Sequence, residues 1–155
     1  MPVITPAQTI IEDDPAGGPC GAKRALRISD TGGLTQFGAY VEILPPGSSS
    51  AIKHWHSNED EVIYVLDGEV TLTEGTAVTV LRPGDGATFK AGDPVGHFLT
   101  NRSAAPTRCL IVGTRAAVDT CTYPDHDRVP HRDRSKGKDT WTDFAGKPAK
   151  SAYDD

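Results

Sequence analysis

The sequence predicts an all-β fold, a sandwich or a barrel, on three observations. Sixteen Gly and twelve Pro break the 155-residue chain at short intervals. The segments between them are rich in Val, Ile, Leu, Thr and Tyr, the residues that suit a pleated, half-buried surface. Nowhere does a stretch show the 3.6-residue apolar period of an amphipathic helix, and no internal repeat is visible.

The strands are read off the breakers. Residues 1–35 form an arm with turns at Pro15–Pro19 and Thr31–Gly33 and a short strand near Ala25–Ile28. A first clear strand covers Gln36–Leu44 and stops at Pro45-Pro46-Gly47, and a second covers Ser50–His56. A third, Glu61–Leu66, reaches Asp67-Gly68 before a fourth, Glu69–Thr73; that dipeptide between apolar runs is a hairpin signal. Glu74-Gly75 turns into Ala77–Leu81, and strands follow near Ala87–Lys90, His97–Asn101 and Arg108–Thr114. The barrel is thus expected over residues 36–118. Beyond it, 119–155 is a polar extension in which Tyr123, Trp141 and Phe144 are available to anchor the segment to the barrel or to a second subunit; otherwise it is partly disordered.

Composition excludes several functions. Sixteen basic and 21 acidic residues leave a net charge of −5, and the basic residues form no stripe outside the polar run His131–Lys136, so a nucleic-acid partner is not expected. Three widely spaced cysteines, Cys20, Cys109 and Cys121, make neither a disulfide framework nor a thiolate zinc site. Cys109 reads as a small core residue. No apolar run is long enough to span a membrane and the first residues carry no leader pattern, so a cytoplasmic location is expected.

Chemistry concentrates in four residues. His54 and His56 are two apart on a strand, so both rings project to one face with Cα atoms roughly 6.5–7 Å apart. Glu61 shares strand parity with Ile63 and Val65 and therefore points where apolar residues point. A carboxylate so placed needs a compensating charge. Asp60 has the opposite parity; Glu59 shares it but lies in the corner, a second choice. His97 opens a later strand that a jelly roll brings beside the first pair. Three imidazoles and a carboxylate suit one divalent transition metal, Fe, Mn, Ni, Co, Cu or Zn, with open positions for water or substrate. His126 and His131 lie in the polar tail and read as solvated.

The stretch Gly47–Gly68 resembles the first motif of the cupins: His54-Trp55-His56, four residues, Glu61, six residues, Gly68. Gly86–Asn101 resembles the second, with Pro94-Val95-Gly96, His97 and Asn101. Two departures fall in loops: six residues separate Gly47 from His54 where five are usual, and Gly96 directly precedes His97. The surrounding text is similar to small single-domain bacterial cupins. The resemblance implies the cupin double-stranded β-helix, a jelly-roll barrel, with His54, His56, Glu61 and His97 as the metal ligands.

It further implies a metal-dependent enzyme acting on a small polar or anionic molecule, of dioxygenase, isomerase, lyase or decarboxylase type. The alternative is a non-catalytic sensor or carrier using the same pocket. Catalysis would need an inward-facing acid or base besides the ligands. Tyr40 and Glu42 on the first clear strand are the proton-transfer candidates, and Arg108, or else Arg115, would orient an anionic substrate through its bidentate fork. A homodimer is expected, because small open β-sheets leave edges that need cover.

Overall fold

The structure, a computed structural model, describes residues 3–16 and 18–154. In chain order the strands are β1 (Ile10–Asp14), β2 (Lys23–Arg27), β3 (Phe37–Leu44), β4 (Trp55–His56), β5 (Glu61–Asp67), β6 (Val70–Glu74) and β7 (Ala77–Leu81). There follow β8 (Gly86–Phe89), β9 (His97–Thr100), β10 (Thr107–Thr114), β11 (Val118–Thr122), β12 (Val129–Asp133) and β13 (Thr140–Thr142). One helical turn, α1 (Ile28–Thr31), precedes β3.

Three antiparallel sheets result: six strands in the order β1-β2-β3-β10-β5-β8, three in the order β7-β6-β9, and four in the order β13-β12-β11-β4. The first two form the jelly roll. Their inner faces meet in a core of Leu44, Ile63, Val65, Val70, Leu72, Leu81, Leu99, Cys109 and Ile111, which residues alternate with exposed ones along β5 and β10 as a period of two requires. Cys109 is fully buried, as its core reading expects.

Two expectations are corrected. Asp67-Gly68 makes a tight turn but not a hairpin, since β5 and β6 belong to different sheets. Gly68 adopts φ +77° where a Cβ would stand 2.8 Å from the Pro106 carbonyl oxygen. The glycine is there for close passage beneath the Pro106–Thr107 backbone as the chain changes sheets. The two-residue hairpin comes one turn later: β6 and β7 pair Glu74 with Ala77 around Gly75, whose φ of +58° takes the glycine position of a primed turn.

The segment Ser50–His56 is regular only at β4. His54 forms a bridge to His97 of β9, whereas Trp55 and His56 pair with Thr122 and Cys121 of β11. The chain changes partner between the two histidines, and that twist breaks the strand.

Between the two readings offered for the extension, the structure favours anchoring. β11–β13 form a sheet on β4 and close a second apolar cluster of Cys20, Ile52, Cys121, Tyr123 and Ala152, with Trp141 packed against it. Phe144 takes no part and is exposed.

Candidate metal centre

His54, His56, Glu61 and His97 come from β9, the start of β5 and the short stretch that joins the sheets at β4. His54 Nδ1 lies 2.8 Å from the Ile52 carbonyl oxygen. A carbonyl only accepts, so Nδ1 carries the proton and Nε2 keeps its lone pair. Burial holds the His54 imidazole down to about 4, so the ring is neutral at physiological pH. His56 Nδ1 lies 2.6 Å from Asp119 Oδ2 and donates to it, which likewise leaves the Nε2 lone pair for a metal ion. Burial alone would push the His56 ring down, but the Asp119 carboxylate outweighs it and the net direction is up.

His97 is 3 % exposed and stacks on Phe89, ring centroids 3.5 Å apart at 4°. Neither of its ring nitrogens has a hydrogen-bond partner. Its Nε2 is 3.7 Å from Glu61 Oε2, beyond a normal hydrogen bond. Buried polar atoms are almost always paired, so an orphaned imidazole facing a carboxylate fits a cation between them. Burial raises the Glu61 carboxyl, but His97 first and then His54 and His56 draw it below its usual value. Donor atoms of His54, Glu61 and His97 all lie within 4.8 Å of one another. His56 stands beside His54, ring centroids 5.2 Å apart, and groups with His54 and Cys121 within the same limit.

Asp119 escapes a motif-based reading, yet it positions His56. It is 3 % exposed and also accepts from Ser57 Oγ at 3.1 Å and the Asn58 amide at 2.9 Å. Carboxylates of this kind orient metal-binding imidazoles. The available signal was alternation: on a strand, Asp119, Cys121 and Tyr123 share one face, which places a carboxylate among buried residues. Asn101 is structural. Fully buried, it donates to the carbonyls of Leu44 and Ala105 and accepts from Ser103, fastening the turn after β9.

A cavity of about 280 Å³ opens beside the ligands, lined by His56, Glu61, Tyr40 and four arginines, Arg27, Arg115, Arg132 and Arg134. Each arginine is paired with an acid, respectively Glu12, Asp30, Asp139 and Glu59. Each pair leaves some of the five guanidinium N–H donors unused. Tyr40 and Glu42 both sit on the inner face of β3. Tyr40 borders this cavity and a neighbouring one of about 120 Å³ that also holds Glu42, Lys23 and Arg27. Glu42 is 5 % exposed and its Oε2 has no hydrogen-bond partner; burial pushes its carboxyl up to about 7.

Arg108 is not at the site. The inward parity of β10 belongs to Cys109, Ile111 and Gly113, and Arg108 projects outward and is exposed. Arg115 does border the cavity, beyond the end of that strand.

An antiparallel jelly roll with imidazoles and a glutamate gathered between its sheets defines a class, the double-stranded β-helix proteins with a metal-type ligand cluster. The family profile of the cupin domain matches residues 40–113. A structure of a sugar phosphate isomerase from the cupin superfamily of Silicibacter pomeroyi is 32 % identical, with 97 % of this chain and 98 % of that one covered at a TM-score of 0.86. The chain therefore belongs to the cupin superfamily.

A protein provisionally assigned as a sugar phosphate isomerase from Acidithiobacillus ferrooxidans shares the fold at 24 % identity, 96 % coverage of both chains and a TM-score of 0.82. So does one described as a predicted oxalate decarboxylase from Thermotoga maritima, at 20 % identity, covering 74 % of this chain and 99 % of that one, TM-score 0.62. A comparison with curated proteins finds no significant match.

Proposed function

We propose that this protein is a metal-dependent isomerase of a small phosphorylated sugar. The carrying observation is the ring of four arginines around the cavity that Glu61 and His56 border. Each guanidinium is balanced by an acid, so the N–H donors left over are what would recognise a phosphate, in the planar, bidentate way that suits arginine. The likeness to the sugar phosphate isomerase structure supports the same substrate class.

In this reading His54, His56, Glu61 and His97 hold one divalent ion of the Fe, Mn, Ni, Co, Cu or Zn group. That ion supplies Lewis-acid polarisation of substrate oxygens. Isomerisation moves a proton between neighbouring carbons. Glu42, held near neutrality by burial, has the acidity that such a transfer needs, and Tyr40 stands between it and the arginine-lined cavity.

The test is elemental analysis of the protein as isolated, followed by isomerisation assays on a panel of aldose and ketose phosphates. About one ion per chain and turnover that inorganic phosphate inhibits competitively are expected. Binding of sugar phosphates without turnover would replace the enzyme reading by the carrier reading. Failure to bind any phosphorylated sugar would remove the substrate class.

The same reading includes a cytoplasmic homodimer. Among the described residues no helix is long and apolar enough to cross a membrane. Phe37, Val62, Tyr64 and Leu66 are 38–45 % exposed on the outer face of the six-stranded sheet, and Phe37, Val62 and Val112 line one open groove there. Contiguous exposed apolar area of this kind marks an interaction surface. Light scattering is expected to report twice 16.5 kDa, and Val62→Lys to shift the mass towards the monomer. A wild-type monomer at micromolar concentration would count against the dimer.

A further inference from the structure

We propose that His54, His56 and Cys121 form a second, soft ligand set at the metal centre, with two nitrogens and one sulfur, that takes a thiophilic ion such as Zn²⁺ or Cd²⁺. The inference rests on the reading of this region as a metal site. Cys121 stands directly opposite His56 in the β4–β11 ladder, on the strand face that also carries Asp119 and Tyr123. Its sulfur and one ring nitrogen from each of His54 and His56 lie within 4.8 Å of one another. Donor atoms around a tetrahedral zinc ion stand roughly 3.3–3.8 Å apart, given bonds of about 2.0–2.3 Å. Closing the group around an ion therefore takes only a small contraction.

Position separates Cys121 from an ordinary core cysteine. Cys20 and Cys109 are also buried free thiols, yet neither joins a group of ligand atoms among the described residues. The Nδ1 bonds to Ile52 and Asp119 leave Nε2 of both histidines available. Asp119 thus serves either set.

His54 belongs to both groups, so the two sets are alternatives for one ion and not two independent sites. Harder ions such as Mn²⁺ are drawn to the carboxylate of Glu61 with His97. Soft ions are drawn to the sulfur. Binding in the soft set replaces the thiol S–H bond with a sulfur–metal bond, and the displaced proton leaves to solvent.

The experiment uses the full chain, stripped with a chelator and loaded with one equivalent of Co²⁺ or Zn²⁺. Wild-type protein with Co²⁺ should show visible ligand-field bands together with a sulfur-to-cobalt charge-transfer band in the near ultraviolet. Cys121→Ser should keep the ligand-field bands, lose the charge-transfer band and bind Zn²⁺ at least about tenfold more weakly, with Mn²⁺ affinity unchanged. X-ray absorption on the zinc-loaded wild type needs no variant and should show one sulfur neighbour at about 2.3 Å. Metal bound with nitrogen and oxygen neighbours alone overturns the soft set and leaves the metal centre standing. No bound ion at all overturns both.

Discussion

Replacement of His54 by alanine is expected to strip the protein of its divalent ion and abolish turnover. His54 joins the group with Glu61 and His97 to the group with His56 and Cys121, and its ring lies beside those of His56 and His97, with centroids 5.2 and 5.0 Å away. Loss of a group that merely orients a ligand typically costs about 10–100-fold in metal affinity. Loss of the shared ligand should exceed that range. Metal content after dialysis and turnover are measured side by side with thermal unfolding of the chelated protein. The last measurement isolates the packing lost with the ring. If the variant retains about one ion per chain, the centre is not built around His54.

Glu42→Gln should make the protein more stable and much less active. In the folded chain the Glu42 carboxyl is held at about 7, against an ordinary value of 4.5, and burial is the main cause. Between those two pH values the unfolded chain has released this proton while the native state retains it. The native state therefore binds more protons, and stability falls as pH rises from about 4.5 to about 7, then levels. The difference, 7 − 4.5 = 2.5 units, corresponds to about 3 kcal/mol at most. Glutamine keeps the shape and removes the ionisation, so the profile over that window should flatten and unfolding at pH 8 should move to higher temperature. Turnover should fall by about 10²–10⁴-fold if the carboxyl transfers the proton. Gain of stability with loss of activity is the usual sign of a strained functional group. An unchanged stability profile would refute the burial argument, and unchanged turnover would refute the proton-transfer role.

Much of this architecture is legible in the residue order because the signals are local. Alternation along Glu61–Leu66 assigns the inward face of β5, with Ile63 and Val65 buried and Tyr64 and Leu66 exposed. Glycine and proline mark the strand ends. Spacing brings His54 and His56 to one face, and motif text adds Glu61 and His97. Sheet membership is harder to read. A tight turn at Asp67-Gly68 specifies a reversal, but whether the next strand pairs with the last depends on core contacts far away in sequence. Parity also leaves two choices on β10, and a register shift against β5 between Arg108 and Cys109 adds to the ambiguity. Arg108 falls on the outer face because alternation along β10 gives the inward positions to Cys109 and Ile111. Asp119 and Cys121 were hidden because a polar segment of low aliphatic content reads as a tail. Only the ladder with β4 shows that it packs beside His56.

The bond between His56 and Asp119 has a consequence for the order in which the centre matures. It joins residues 63 apart in the chain, whereas the His97–Phe89 stack joins residues only 97 − 89 = 8 apart. Closing a longer loop costs more chain entropy, and contacts distant in sequence form late. During synthesis the segment through His97 emerges from the ribosome before β11 does. At that stage His54, Glu61 and His97 are already present, and the imidazole of His56 still lacks the carboxylate that fixes its tautomer. An ion captured then meets an incomplete coordination sphere. Asp119 arrives afterwards with the last quarter of the polypeptide, so on the proposed metal reading the ligand set is fully oriented only in the finished chain.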